Sequence, residues 1–118
     1  MKEKNILIVD DSKTMCGILE NILNEAGYTN ITAVYSGADA IAAYKKNAPD
    51  LVLLDIIMPE TNGMEVLREI GGDKKVIVLS AIGQESIIAE AKALGAIDYL
   101  VKPIERKEML AKILPHLK

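Results

Sequence analysis

The chain has 118 residues, of which 50% are hydrophobic and 26% are charged, and its formal net charge at neutral pH is −3. This length and composition predict one globular domain, residues 1–118, with enough apolar side chains to fill a core. The slight negative charge does not favour nucleic-acid binding, which normally needs a basic face. The single cysteine excludes an internal disulfide, and no apolar run is long enough for a signal sequence or a membrane span. We therefore expect a soluble, cytoplasmic protein that binds neither nucleic acids nor membranes.

The first half of the chain alternates short apolar runs with helical patterns. Residues 5–9 predict a buried strand, and the apolar positions between 15 and 23 are spaced as on one face of a helix. Ser12 is a candidate N-cap for this helix, and Gly27 is a candidate stop. Residues 31–35 predict a strand nearer a sheet edge, and the helix that opens at Ser36 should end before Pro49.

The second half repeats this alternation three times. Residues 51–55 predict the clearest strand, and a loop leads from it to a short helix around 66–70 that ends at Gly71 and Gly72. Residues 76–80 and 97–101 predict two more strands, with a helix at 85–94 between them. A last helix carries apolar residues from Met109 to Leu114 and should end at Pro115. Five strands alternating with five helices predict an α/β fold with a doubly wound parallel sheet.

Polar side chains end four of the five predicted strands. The first strand ends in Asp10 and Asp11, the third in Asp55, the fourth in Ser80 and the fifth in Lys102. Taken singly, each has an ordinary explanation as a helix cap, a turn residue or a surface charge. The carboxyl ends of parallel strands share one edge of the sheet, however, and ligands bind at that edge. The joint pattern therefore favours a functional site.

The residue types at this edge suit phosphoryl-transfer chemistry. Three carboxylates held together repel one another and require a cation, and oxygen ligands with room for water favour Mg²⁺. A carboxylate can also act as a nucleophile toward phosphorus and form an aspartyl phosphate. In that reaction the cation and Lys102 would stabilise charge on the phosphoryl oxygens, and the Ser80 hydroxyl could donate a hydrogen bond to one of them.

At these residues the chain resembles the receiver domains of response regulators, the CheY-like family, over essentially its whole length. The resemblance rests on residues 7–12 (LIVDDS), 55–63 (DIIMPETNG), 80–81 (SA) and 98–103 (DYLVKP). It implies a flavodoxin-like (βα)5 fold with strand order 2-1-3-4-5. It also implies that Asp55 is the phosphoacceptor and that Lys102 contacts the phosphate. Mg²⁺ would be held by Asp10, Asp11, Asp55 and the backbone carbonyl of Ile57.

The resemblance further implies how phosphorylation changes a surface away from the site. Ser80 and Tyr99 match the family's switch pair, and the bond before Pro103 would be cis. The output surface would be the fourth helix, the fifth strand and the fifth helix. Ile57 and Ile82 occupy positions that flank the phosphoryl group and are often polar in this family, so we expect them to restrict water access and prolong the phosphorylated state.

The expected function is a signalling switch of a two-component system rather than an enzyme with a separate substrate. Its partners would be a sensor histidine kinase or phosphotransfer protein and a downstream protein target. The 80–85 segment (SAIGQE) and the ending just after the fifth helix favour a stand-alone, chemotaxis-type regulator.

Two alternatives use a similar fold or chemistry. A Mg²⁺-dependent phosphohydrolase of the haloacid-dehalogenase type would need an acid two residues after Asp55, where this chain has Ile57, and a cap domain to exclude water. A nucleotide- or flavin-binding module would need a glycine-rich first loop, but residues 10–13 (DDSK) begin with two acids that would repel phosphates. A stable, Mg²⁺-dependent gain of one phosphoryl group would favour the switch, whereas repeated turnover of a substrate would favour an enzyme.

Overall fold

The computed structural model describes residues 4–58, 61–70, 75–81 and 83–117. Five strands form the main sheet and are numbered in chain order: β1 (Ile6–Val9), β2 (Ile31–Val34), β3 (Leu51–Asp55), β4 (Lys75–Ser80) and β5 (Asp98–Val101). They are parallel and lie in the order β2-β1-β3-β4-β5. The predicted doubly wound parallel sheet and its strand order are confirmed.

Helices cover both faces of the sheet, and none of those described is long and apolar enough to cross a membrane. They are α1 (Lys13–Glu25), α2 (Gly37–Asn47), α3 (Gly63–Ile70), α4 (Glu85–Ala93) and α5 (Arg106–Leu117). Successive strand residues point to opposite faces, so Ile6 and Ile8 pack toward α1 and α5, and Leu7 and Val9 pack toward α2, α3 and α4. Burial on both faces explains why the central strands are aliphatic throughout.

The predicted helix signals hold at the starts of α1 and α2. Ser12 Oγ accepts a hydrogen bond from the Met15 N–H, and Ser36 Oγ accepts one from the Asp39 N–H. Both caps satisfy a backbone donor that the helix leaves unpaired. Gly27 follows α1 with φ +99°, a conformation that favours glycine. Local sequence therefore determines where these two helices begin and where α1 ends.

The predicted end of α5 at Pro115 is wrong, because the helix continues through Pro115 to Leu117. A proline so close to the C-terminus of a helix disrupts only the last turn. Leu117 is 3% exposed and packs in the core layer between the sheet and α1 and α5, which holds that turn in place. Lys75 Nζ also donates to the His116 carbonyl at 2.9 Å. Tertiary packing thus outweighs the local signal.

The connection between β3 and α3 contains structure that the sequence pattern did not predict. Residues Ile57–Met58 and Thr61–Asn62 pair as short antiparallel strands where a loop was expected. Gly63 follows directly, and a Cβ there would lie 2.3 Å from Ile56 Cα, so no larger residue fits. Gly71 and Gly72, the predicted end of α3, lie outside the described residues.

Candidate functional site

The carboxyl edge of the sheet brings the three predicted acids together. Asp10 follows β1, and its N–H donates to the Val34 carbonyl at 3.2 Å, which extends the pairing with β2. Asp55 ends β3, the other neighbour of β1. Asp10 is 0% and Asp55 4% exposed, whereas Asp11 is exposed. One carboxylate oxygen from each of the three lies within 4.8 Å of the others.

Lys102, which directly follows β5, joins this cluster. Its backbone N–H donates to the Ser80 carbonyl at 2.7 Å, which ties the residue to the end of β4. Its Nζ donates to Asp55 Oδ2 at 3.1 Å and lies 2.9 Å from Asp10 Oδ2, though not at a hydrogen-bonding angle. The bond between Lys102 and Pro103 is cis. One ammonium group is therefore shared between two buried carboxylates.

Each buried carboxylate is oriented by a backbone amide two residues further along the chain. The Ser12 N–H donates to Asp10 Oδ1 at 2.9 Å, and the Ile57 N–H donates to Asp55 Oδ1 at 3.0 Å. Such side-chain turns are typical of aspartate. They fix both Oδ1 atoms and leave both Oδ2 atoms facing Lys102.

The electrostatics of the cluster follow from this arrangement. Burial raises the pKa of Asp55, and repulsion from Asp10 adds to the effect, while the Ile57 N–H and Lys102 oppose it. Burial disfavours the charged form of Lys102, but its contacts with Asp10 and Asp55 outweigh that penalty and raise the pKa of this lysine. With two buried carboxylates against one ammonium, the site can accommodate further positive charge.

Ser80 ends β4 with its hydroxyl inside the protein. The residue is 1% exposed, and within the described chain Ser80 Oγ has no hydrogen-bond partner. Buried hydroxyls usually have a partner, so an unpaired one is a candidate ligand-binding group. Ser80 and Lys102 are linked through the backbone hydrogen bond between β4 and β5. The structure thus places a free donor at the same edge as the acidic cluster.

Tyr99 lies on β5 and is half-buried. It lines a groove of about 160 Å³ together with residues of the β4–α4 connection, α4 and β5, including Ala81, Gln84, Ile88 and Val101. The Ala81 N–H donates to Gln84 Oε1 at 2.6 Å, a contact that no sequence pattern indicated although Gln84 precedes a predicted helix.

That Ile57 and Ile82 restrict water access stays a prediction. Ile57 is 53% exposed and follows Asp55 by two residues, so an apolar side chain does lie open beside the site. Ile82 lies outside the described residues. Lys112 of α5, which contacts Tyr99, was not identified from sequence, because nothing in its local pattern distinguishes it from other surface lysines.

Comparisons with known proteins extend over nearly the whole chain. Residues 6–114 match the family model of the response regulator receiver domain. The chemotaxis protein CheY of Thermotoga maritima is 41% identical, with 86% of this chain and 88% of that protein covered. The chemotaxis protein CheY of Bacillus subtilis is 39% identical, with 92% of each covered.

Solved structures agree with the sequence comparisons. A response-regulator structure from Chloroflexus aurantiacus superposes with a TM-score of 0.90 at 30% identity, covering 98% of both chains. The signal receiver domain of a LuxO repressor protein from Vibrio parahaemolyticus gives a TM-score of 0.89 at 28% identity, covering 98% of this chain and 91% of that one. The match therefore includes the sheet, the helices and the edge where the polar residues lie.

Proposed function

Because this chain belongs to the family of response regulator receiver domains, which act in two-component signalling, we propose that it is a phosphorylation-activated switch with Asp55 as its phosphoacceptor. The observation that supports this most directly is the environment of Asp55. Its buried carboxylate faces the Lys102 ammonium, beside a second carboxylate and near a buried hydroxyl for which the described residues supply no partner. We further propose that residues 1–118 work as a single receiver domain.

In the proposed reaction, a carboxylate oxygen of Asp55 attacks the phosphorus of a phosphohistidine on a sensor kinase or phosphotransfer protein. An oxygen–phosphorus bond forms as the nitrogen–phosphorus bond breaks, and the bonding electrons leave with the imidazole nitrogen, which takes a proton. Lys102 would stabilise negative charge on the phosphoryl oxygens, and Ser80 Oγ would donate a hydrogen bond to one of them. Both groups lie at the same edge of the sheet as Asp55.

The acidic residues fit a magnesium ion. Asp10, Asp11 and Asp55 offer only oxygen ligands within 4.8 Å of one another, and one ammonium balances the two buried charges incompletely. The exposure of Asp11 leaves this side open to water ligands. The backbone carbonyl of Ile57 would complete the protein ligands. When bound, the ion supplies positive charge next to the phosphoryl oxygens.

The direct test of the phosphoacceptor is labelling with acetyl phosphate, followed by intact mass spectrometry. The wild type should gain one phosphoryl group with Mg²⁺ and none with a chelator, and Asp55→Asn should gain none. Asp50→Asn, at the opposite edge of the sheet, is the matched control and should label like the wild type. Full labelling of Asp55→Asn would contradict the assignment, and repeated release of phosphate would favour the phosphohydrolase alternative.

The metal ligands can be tested separately by calorimetric titration with Mg²⁺. Asp11→Ala removes an exposed carboxylate, so the fold should be unaffected, but affinity should fall at least about ten-fold because a charge and a ligand are both lost. Asp50→Asn again serves as the control. Equal affinity in Asp11→Ala and the wild type would mean that Asp11 does not bind the ion.

The output surface in this proposal consists of α4, β5 and α5. Phosphorylation would draw the Ser80 hydroxyl toward the phosphoryl group, and the Tyr99 ring would turn inward. A downstream protein would then bind preferentially to one ring position. Tyr99→Ala should therefore retain phosphorylation and lose partner binding. A chemotaxis role and a cytoplasmic location rest on the likeness to the chemotaxis proteins described above.

The lifetime of the phosphorylated state would depend on water access beside Asp55. The exposed Ile57 side chain offers no hydrogen bond to orient an attacking water, and it would cover part of the approach. Ile57→Asn should therefore hydrolyse the aspartyl phosphate several-fold faster than the wild type. An unchanged rate would mean that this position does not limit hydrolysis. The equivalent proposal for Ile82 is tested with Ile82→Glu in the same assay.

A further inference from the structure

Two lysines contact the ring of Tyr99 from the helices on either side of β5. Lys112 Nζ of α5 lies 4.0 Å from the ring centroid, and Lys92 Nζ of α4 lies 5.1 Å from it. A cation at such distances is attracted to the negative face of an aromatic ring. The ring position described here is therefore favoured by two positive charges.

Lys112 is held in place independently of the ring. Its ammonium donates to the Tyr99 carbonyl at 2.6 Å and lies 3.6 Å from Asp98 Oδ1. The side chain is 25% exposed. Lys92, in contrast, is exposed. Of the two lysines, Lys112 has the shorter ring contact and the more fixed ammonium.

We propose that Lys112 is a positioning residue that holds the Tyr99 ring at the protein surface in the unphosphorylated chain and so opposes activation. Rotation of the ring moves the side chain but not the Tyr99 carbonyl, so Lys112 keeps its backbone contact in either ring position. Only the attraction to the ring changes. Lys112 therefore contributes a differential interaction between the two states, which is what shifts a two-state equilibrium.

The expected size follows from the strength of a partly exposed cation–π contact. Such contacts change an equilibrium constant by about two- to five-fold. Removal of the charge on Lys112 should thus shift the ratio of inward to surface ring positions about three-fold toward inward. This inference rests on the proposed role of Tyr99 as a switch residue, and it adds the residue that sets the resting position.

The test uses the full chain with ¹³C-labelled tyrosine rings and NMR, with Tyr28, Tyr35 and Tyr44 as internal references. In Lys112→Gln, which keeps a donor for the carbonyl but lacks the charge, the Tyr99 ring signal should move toward its position in wild type saturated with beryllofluoride and Mg²⁺. The beryllofluoride concentration for half-saturation should fall up to about three-fold. Lys112→Leu, which keeps an apolar stem, should behave in the same way.

The control variants separate positioning from a structural role. Lys112→Arg keeps a cation over the ring and should retain the wild-type signal. Lys107→Gln removes an exposed charge elsewhere on α5 and should leave Tyr99 unchanged. Lys92→Gln should give a smaller shift than Lys112→Gln, because its ammonium lies further from the ring.

Two results would overturn the inference. In the first, Lys112→Gln and Lys112→Leu both give the spectrum of a folded protein, but the Tyr99 ring signal stays at its wild-type position. The contacts of the Tyr99 ring to neighbouring protons are then also unchanged. The other is an equal shift in Lys112→Arg. If Tyr99 is not a switch residue, beryllofluoride will leave the wild-type Tyr99 signal unmoved. The effect of Lys112 on the ring position can still be measured in that case, from ring contacts recorded without beryllofluoride.

Discussion

The two edges of the sheet differ in how fully their polar groups are hydrogen-bonded. At the amino edge, the Asn5 N–H donates to Asp50 Oδ2 at 2.9 Å, and the Asp50 N–H donates back to the Asn5 carbonyl at 2.7 Å. Asn5 Nδ2 also donates to the Asn47 carbonyl at 2.8 Å. At the carboxyl edge, two carboxylates share one ammonium, and a buried hydroxyl has no partner among the described residues.

The amino edge therefore contributes to stability, whereas the carboxyl edge contributes to the proposed function. Reciprocal hydrogen bonds at the amino edge tie β1 to the α2–β3 connection. The carboxyl edge buries the same kinds of group with too few partners, which costs stability but leaves oxygens and a hydroxyl available for a cation and a phosphoryl group. Substitutions at the two edges should therefore change stability in opposite directions.

The largest expected effect on stability is at the amino edge. The double variant Asn5→Ala/Asp50→Ala removes two side-chain hydrogen bonds, each worth about 0.5–1 kcal/mol at a site open to water. Its free energy of unfolding, measured with urea, should fall by about 1.5 kcal/mol. Labelling with acetyl phosphate should remain complete under conditions where the variant is folded. A folded variant that labels poorly would show that the two edges are coupled.

At the carboxyl edge, Asp55→Asn should be more stable than the wild type near pH 7. The pKa of Asp55 is raised in the folded chain, mainly by burial, so its ionisation opposes folding. This penalty is absent below the unfolded-state pKa of about 3.9 and grows as the pH rises through the folded-state pKa. The advantage of the variant should therefore be present at pH 7–8 and shrink as the pH falls toward 4.

Thermal melts between pH 4 and 8, without Mg²⁺, measure this dependence. The melting temperature of Asp55→Asn should exceed that of the wild type by about 3 °C at pH 7. Lys102 should not contribute over this range, because its raised pKa keeps it charged throughout. An advantage that is absent at pH 8, or that grows on acidification, would contradict the direction assigned to Asp55.

A smaller effect is expected for Ser80→Ala. The hydroxyl has no partner in the described part of the chain, so its removal should change the free energy of unfolding by less than about 0.5 kcal/mol. Ser36→Ala is the matched comparison, because Ser36 Oγ caps α2 and its loss should cost about 1 kcal/mol. Phosphorylation by acetyl phosphate should show the reverse order, with Ser80→Ala about ten-fold slower and Ser36→Ala unchanged. Equal losses of stability in both would indicate a hydrogen bond to Ser80.

Sequence patterns predicted the features that depend on local or periodic signals. Aliphatic strands such as residues 51–55 can be buried only in a sheet covered on both faces, and Ser12 and Ser36 are helix caps whatever the tertiary structure. The edge at which Asp10 and Asp55 meet follows from parallel topology alone.

What could not be predicted depends on long-range packing. Pro115 favours a helix end locally, but the burial of Leu117 outweighs it. The close approach of Gly63 to Ile56 and the contact of Lys112 with Tyr99 involve positions whose distance is set only by the folded chain. The position of Lys102 between Asp10 and Asp55 likewise depends on distances that only the folded chain sets.

The smallest expected effect is that of Mg²⁺ on the reactivity of Cys16, which lies beneath the acidic edge. Its thiol contacts the Asp10 carbonyl at 3.5 Å, and the residue is 2% exposed. Burial, assisted by repulsion from Asp10, raises the pKa of Cys16 to about 11. At pH 8 only about a thousandth of the thiol is then ionised, and the thiolate is the reactive form. Native chain should therefore react with a thiol reagent far more slowly than urea-unfolded chain. Mg²⁺ should lower the pKa of Cys16 slightly, because it offsets the charge of Asp10. Equal reaction rates in native and unfolded chain would mean that the acidic edge and the layer beneath it are open to solvent.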